Sequence, residues 1–81
     1  MTKTPRDLHG RRLCDCMARL GYRHIRSAGD HWIMQTMEGG LHKVSVPQHK
    51  PMKTGTAADI LNDIRNHFDL SLDELLRKLR L

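Results

Sequence analysis

The first twenty residues carry the apolar pattern of a helix. Apolar side chains recur three or four positions apart, which places them on one helical face; they are Leu13, Cys16, Met17 and Leu20. Thr4 suits the N-cap, and Pro5 suits the first helical position. Because glycine readily adopts the left-handed conformation that ends helices, Gly21 is the expected stop. The sequence predicts a first helix from about Pro5 to Leu20.

After residue 21 the apolar period shortens, and three strand-like segments follow. They are YRHIRS (22–27), HWIMQTM (31–37) and LHKVSV (41–46). In the third segment His42, Val44 and Val46 alternate onto one face, and Pro47 ends the pairing. The short connections AGD and EGG are typical of tight turns, so the pattern predicts an antiparallel meander.

Helical spacing returns in the last third of the chain. One apolar stripe contains Ala57, Ile60, Leu61, Ile64 and Phe68, and a second contains Leu72, Leu75, Leu76 and Leu79. A break near Asp69 separates the two helices, and Ser71 with Glu74 forms a capping-box pattern. The order α-β-β-β-α-α predicts an α+β fold in which helices cover one face of a three-stranded antiparallel sheet. We expect a single domain over residues 1–81.

Length and residue usage narrow the range of functions. A chain of 81 residues has little room for a closed cofactor pocket, which favours an open surface and a large substrate such as a polymer. Cys14 and Cys16 point about 200° apart on a helix, and the histidines lack metal-ligand spacing, so we expect neither metal nor cofactor. The chain shows no signal peptide and no membrane-length apolar stretch, so we expect a cytoplasmic protein without membrane contact.

The positive charge lies mostly in the first two thirds of the chain. Residues 1–55 contain ten Lys and Arg against four Asp and Glu, whereas residues 56–81 contain four against five. A basic region on a small domain is typical of proteins that bind polyanions, nucleic acid above all. The alternative is that these charges only maintain solubility.

Histidine is the residue type here that suits RNA cleavage. Attack of a ribose 2′-hydroxyl on the adjacent phosphate needs a base, an acid and nearby cations, and the ordinary pKa of imidazole, about 6.5, suits both proton transfers. Among six histidines, His31 follows Gly29 and Asp30 at a strand start, where a turn would fix its direction. The alternative is that His31 is an ordinary surface histidine without a catalytic role. Lys50 and Lys53 precede a predicted helix, whose N-terminal amides favour phosphate.

Several short motifs, in order, resemble the HicA family of bacterial mRNA interferase toxins. They are a helix ending at Gly21-Tyr22, the Gly29-Asp30-His31 turn, Val46-Pro47-Gln48-His49 at the end of a strand, and Lys53, Gly55 and Thr56 before the Ile60-Leu61 helix. The resemblance covers about residues 6–76, nearly the whole chain.

The resemblance implies a fold like the double-stranded RNA-binding domain and ribosome-independent cleavage of mRNA. It assigns catalysis to the histidine of the turn, here His31, with a HicB-like antitoxin as the neutralising partner. We expect Arg26, His49, Lys50 and Lys53 to bind phosphate.

Two positions depart from the family pattern. Asp30 stands where the family often has Ser or Thr, and Trp32 stands where a second histidine is frequent. A carboxylate beside His31 would either orient the imidazole or repel phosphate. The sequence therefore leaves open a protein that binds RNA, or its antitoxin, on the same surface without cleaving RNA.

Overall fold

Three antiparallel strands in sequential order form the sheet, as the meander pattern predicted. The structure, a computed structural model, describes residues 3–81; Met1 and Thr2, part of the expected domain, lie outside the described residues. The elements are α1 (Gly10–Met17) with a 3₁₀ turn (Ala18–Leu20), β1 (Arg23–Ala28), β2 (His31–Thr36), β3 (His42–Pro47), α2 (Thr54–Phe68) and α3 (Leu72–Leu79). The α+β class and the order α-β-β-β-α-α are confirmed, and they are consistent with a fold like the double-stranded RNA-binding domain.

The predicted start of the first helix, at Pro5, was wrong. The chain first turns at Asp7, which has a left-handed φ of 53°, and α1 begins only at Gly10. Leu8 is buried in the core, and its carbonyl accepts a hydrogen bond from the Met52 amide at 2.8 Å. The core position of Leu8 and this bond to a distant loop outweigh the local N-cap pattern, so the segment before α1 follows an irregular path.

Glycines mark both limits of the first helical segment. A Cβ on Gly10 would lie 1.9 Å from the carbonyl oxygen of Pro47, so only glycine allows α1 to approach the end of β3 this closely. At the other limit Gly21 has a left-handed φ of 81° and ends the 3₁₀ turn, as the sequence predicted.

The helices cover one face of the sheet and leave the other open. Met34, Val44 and Val46 are buried beneath the helices, and the pairing of β2 with β3 places Met34 opposite Val44. The predicted alternation of β3 is therefore confirmed. The opposite surface, here called the open face, comprises three cross-strand rows by register: Arg23, Gln35 and Lys43; Arg26, Ile33 and Ser45; Ala28, His31 and Pro47.

The edge strand β1 is exposed along its whole length. Its pairing with β2 is irregular between His24 and Arg26, so Ile25 occupies a bulge and keeps 43% of its surface exposed. The buried core of the sheet thus belongs to β2 and β3, while β1 extends the open face.

The two C-terminal helices join at a left-handed residue, as predicted. Asp69 has a φ of 55° and ends α2. The Ser71 hydroxyl accepts the Glu74 amide, while the Glu74 carboxylate accepts the Ser71 amide. Hydrogen bonding to the Ser71 backbone amide, and after it to the Ser71 side chain, lowers the pKa of the Glu74 carboxyl group. Leu75 and Leu79 are completely buried, so α3 closes the core.

A polar and aromatic cluster ties the start of the sheet to α2. The His42 ring lies 3.1 Å from a carboxylate oxygen of Asp63 through Nε2 and 2.6 Å from the Tyr22 hydroxyl through Nδ1. In the tautomer that carries its proton on Nε2, the ring donates to Asp63 and accepts the Tyr22 hydroxyl hydrogen at Nδ1. His67 stacks on His42 with ring centroids 4.4 Å apart. The cluster joins the residue that precedes β1 to β3 and α2.

Tyr22 should resist ionisation while the protein is folded. Burial, and then the negative charge of Asp63, raise the pKa of the Tyr22 phenol well above its ordinary value of 10.0. Since unfolded tyrosine releases its proton near that value while folded Tyr22 keeps it, the free energy of unfolding should fall as pH rises above about 10. The chain has one tyrosine, so tyrosinate absorbance follows this group alone.

The absorbance titration should therefore begin at higher pH in buffer than in denaturant. Tyr22→Phe is the matched control for stability and should show a smaller loss of unfolding free energy at alkaline pH. Identical titration curves in buffer and in denaturant would contradict the buried cluster.

Candidate functional site

The turn between β1 and β2 fixes the position of His31. Ala28 pairs with His31, so only Gly29 and Asp30 connect the two strands. Gly29 has a left-handed φ of 61°, and a Cβ there would meet no atom within 4 Å. Glycine is thus favoured at position 29 for its backbone conformation, since no close contact requires it. His31 is the first residue of β2, at the end of the sheet.

The His31 imidazole lies on the open face and has neighbours at both ring nitrogens. Its Nδ1 lies 2.9 Å from the hydroxyl oxygen of Ser45 on β3. Its Nε2 lies 3.6 Å from a carboxylate oxygen of Asp30, a contact that becomes an ion pair when the ring is protonated. The His31 side chain remains 45% exposed, so a ligand can reach a ring that is already oriented.

Ser45 is a site residue that the sequence analysis missed. It lies fourteen positions after His31 and belongs to no motif named there. The signal that could have found it is the strand register: once β2 and β3 pair, Ser45 and His31 fall on the same face in adjacent rows. The serine hydroxyl can accept a hydrogen bond from Nδ1–H or donate one to an unprotonated Nδ1, so it orients the ring in either tautomer.

A shallow cleft beside the turn brings together four of the predicted site residues. Asp30, His49, Lys50 and Lys53 line a cavity of about 470 Å³, where the loop after β3 approaches the start of α2. The Gln48 amide donates a hydrogen bond to the Asp30 carbonyl at 2.8 Å, which attaches this loop to the turn. Three exposed residues that are basic or able to carry positive charge therefore share the cleft with one acidic residue.

The other predicted residues lie outside the cleft. Arg26 and His31 are on the open face, and Asp30 connects them to the cleft, because this residue lines the cavity and its carboxylate approaches His31. Two surfaces therefore meet at Asp30: a cationic cleft and the open face of the sheet.

Trp32 lies on the other side of β2 from His31. It pairs with Val46 and packs against the core. The His24 ring stacks on it with centroids 4.1 Å apart, and the Arg11 guanidinium carbon lies 5.2 Å from its ring centroid. A side chain at position 32 therefore does not share the open face with His31.

The described residues offer no obvious metal site. Within residues 3–81, no group of three or more His, Cys, Asp or Glu residues is arranged to hold a metal ion. Cys14 and Cys16 are buried and not joined to each other, and burial raises the pKa of the Cys14 thiol.

Among residues 3–81, no helix is both long enough and apolar enough to cross a membrane.

Replacing Ser45 should release the His31 ring. In Ser45→Ala the Nδ1 hydrogen bond is lost while the backbone of β3 is unchanged, so the ring should sample more than one orientation. Nitrogen NMR of the imidazole should then show altered Nδ1 and Nε2 resonances for His31, with those of His42 unaffected. Unchanged His31 resonances in a folded Ser45→Ala protein would contradict the assigned contact.

Comparison with known proteins assigns the chain to a family. No curated protein and no solved structure matches it. The family described as HicA toxin of bacterial toxin-antitoxin matches residues 10–65, which extend from the start of α1 into the last turn of α2. This match covers more than half of the chain and includes the turn, His31, Ser45 and the cleft. The protein therefore belongs to the HicA toxin family of bacterial toxin–antitoxin systems.

Proposed function

We propose that this toxin is a metal-independent endoribonuclease that cleaves mRNA in the bacterial cytoplasm, with His31 as general acid and base. The observation that carries the proposal is the geometry of His31: its ring is half-exposed on the open face, is oriented by Ser45 at 2.9 Å, and lies beside a cleft containing two lysines. The family match supports a toxin that depends on an antitoxin.

The chemistry follows from which ring nitrogen is available. When Nδ1–H donates to Ser45, the Nε2 lone pair can accept the proton of a ribose 2′-hydroxyl. The 2′-oxygen then attacks the adjacent phosphorus, the bond from phosphorus to the 5′-oxygen breaks, and the imidazolium returns its proton to that oxygen. Asp30, 3.6 Å from Nε2, stabilises the imidazolium between these two steps.

Cations around the turn supply the charge that the phosphate needs. Lys50 and Lys53 line the cleft with His49, and Lys53 is also the N-cap residue of α2. The first amides of a helix have no acceptor within it and attract anions. Arg26 lies across the turn on the open face, one row from His31. Together these groups favour a phosphate next to His31 and stabilise the added negative charge as the phosphorus is attacked.

A second candidate function is RNA binding without cleavage. The observation in its favour is Asp30, a residue of the cleft whose carboxylate places a negative charge beside His31, where phosphate would bind. In that protein the same surface would hold RNA, or the antitoxin, and His31 would contribute only a contact. The activity of a His31 variant distinguishes this function from the enzyme.

His31→Ala should remain folded and should lose about 10²–10⁴-fold in the rate of RNA cleavage, the usual contribution of a positioned acid or base. Cleavage by the unaltered protein should persist in EDTA. The matched control is His9→Ala, because His9 is exposed and its side chain makes no capping bond to α1; this variant should cleave normally.

Gel analysis of labelled RNA, with circular dichroism as the test of folding, gives the answer. Full activity in folded His31→Ala would overturn the catalytic assignment. Loss of activity in EDTA would instead indicate a metal enzyme.

The antitoxin should cover the catalytic surface. We propose a HicB-like partner whose acidic groups imitate phosphates, giving fast, salt-sensitive association over an interface near or above about 1,000 Å². Expression of this chain alone should arrest growth, and expression with its antitoxin should restore it. His31→Ala should lose toxicity and still bind the partner, because one imidazole is a small part of such an interface.

The growth assay and co-purification of the two chains test the partner. If the unaltered chain is harmless when it is well expressed and folded, the toxin proposal is wrong and RNA binding without cleavage explains the surface better.

A further inference from the structure

The open face carries a group of cations that the proposed mechanism does not use. Arg23 on β1 and Lys43 on β3 lie at opposite ends of one cross-strand row, with Gln35 between them. Both cations are exposed. The row containing Arg26 separates them from the row of His31, so the positive charge continues along the face from the candidate site.

These cations have no acidic neighbours on the same face. The nine residues that form the open face include no carboxylate, and among residues 3–81 the salt bridges involve none of Arg23, Arg26 and Lys43. Two arginines on the helices, by contrast, pair with aspartates one turn away. The positive charge of the open face is therefore available to an external anion.

The spacing of the rows matches a linear ligand. Two residues along a strand cover roughly 7 Å, so the row of Arg23 and Lys43 lies roughly 13 Å from that of His31. Ile33, half-buried between Arg26 and Ser45, provides an apolar position against which a base can pack. Phosphates that bind cations and bases that pack on apolar groups are both features of a nucleic-acid strand.

We propose that the open face is the path of a single RNA strand, which runs from His31 past Arg26 to a phosphate site formed by Arg23 and Lys43. This inference rests on the proposed function, because it takes RNA as the ligand of His31. A single strand is required because the 2′-oxygen, the phosphorus and the leaving 5′-oxygen must be in line, and a regular RNA duplex holds them out of line. The open face thus binds nucleotides away from the cleaved bond.

The test measures binding without cleavage. The probe is a labelled single-stranded RNA whose riboses carry 2′-O-methyl groups, so that attack on the phosphate is impossible. Its affinity is measured over a range of salt concentrations for the unaltered protein, for Arg23→Ala/Lys43→Ala, and for the control Arg19→Ala/Lys78→Ala. The control removes the same charge from exposed positions on the helical elements.

Loss of two phosphate contacts should reduce the slope of log affinity against log salt by about 1.4. Affinity near 0.1 M salt should fall roughly 10- to 30-fold. The control variant should retain the slope of the unaltered protein, and the same sequence as a duplex should bind more weakly than the single strand. Arg23→Gln/Lys43→Gln, which keeps polar side chains on both strands, should repeat the result if the alanine variant folds poorly.

Three results would overturn the inference: a slope equal to that of the control, a duplex bound at least as tightly as the single strand, or loss of antitoxin binding with RNA binding intact. The last result would show that the open face binds the antitoxin and not RNA.

Cleavage of ordinary RNA, measured in parallel, distinguishes the failure of the RNA path from the failure of the proposed enzyme. If the slope falls in the Arg23/Lys43 variant but the unaltered protein cleaves no RNA, the RNA path is supported and the endoribonuclease proposal is contradicted. If the unaltered protein cleaves RNA but the slope is unchanged in the variant, the endoribonuclease proposal is supported and the RNA path is contradicted.

Discussion

The alternation of side chains along β2 and β3 determines which residues can carry function. Met34, Val44 and Val46 must point toward the helices because they belong to the buried core. Burial of each such side chain contributes about 1.5–3 kcal/mol to the free energy of unfolding. The residues that alternate with them along the two strands, His31 and Ser45 included, then point to the open face. A slip of one residue would exchange the two faces, burying His31 and exposing the core. The stability of the core and the placement of His31 therefore depend on the same register.

The two ends of the sheet have different roles. At one end Tyr22, His42 and Asp63 form a connected cluster in which the His42 ring joins the buried Tyr22 phenol to the Asp63 carboxylate. At the other end His31 and the loop after β3 remain accessible. The contacts of this cluster join the strands to α2, whose first turn borders the cleft. The end of the sheet that carries His31 can then present its charges to a ligand without reorganising the fold.

Most elements could be predicted from local pattern, because strands and helices here follow the apolar period closely. The start of α1 could not, since the position of Leu8 depends on a hydrogen bond to Met52, more than forty residues away. His31 was singled out by its turn and by family resemblance, whereas composition alone could not rank it above five other histidines. Ser45 was missed because its role arises only from strand pairing. The departure at Trp32 also needed the structure, which places that side chain on the helical side of β2.

The chemistry assigned to His31 determines which ends a cut RNA must have. If its imidazole activates a ribose 2′-hydroxyl, the phosphate stays on the upstream fragment and the leaving oxygen becomes a 5′-hydroxyl. Mass spectrometry of the fragments from a short RNA, cleaved in EDTA, measures these ends directly. We predict a 2′,3′-cyclic phosphate on one fragment and a 5′-hydroxyl on the other. Fragments with a 3′-hydroxyl and a 5′-phosphate would show that water or another nucleophile attacked the phosphorus, and would contradict the role of His31.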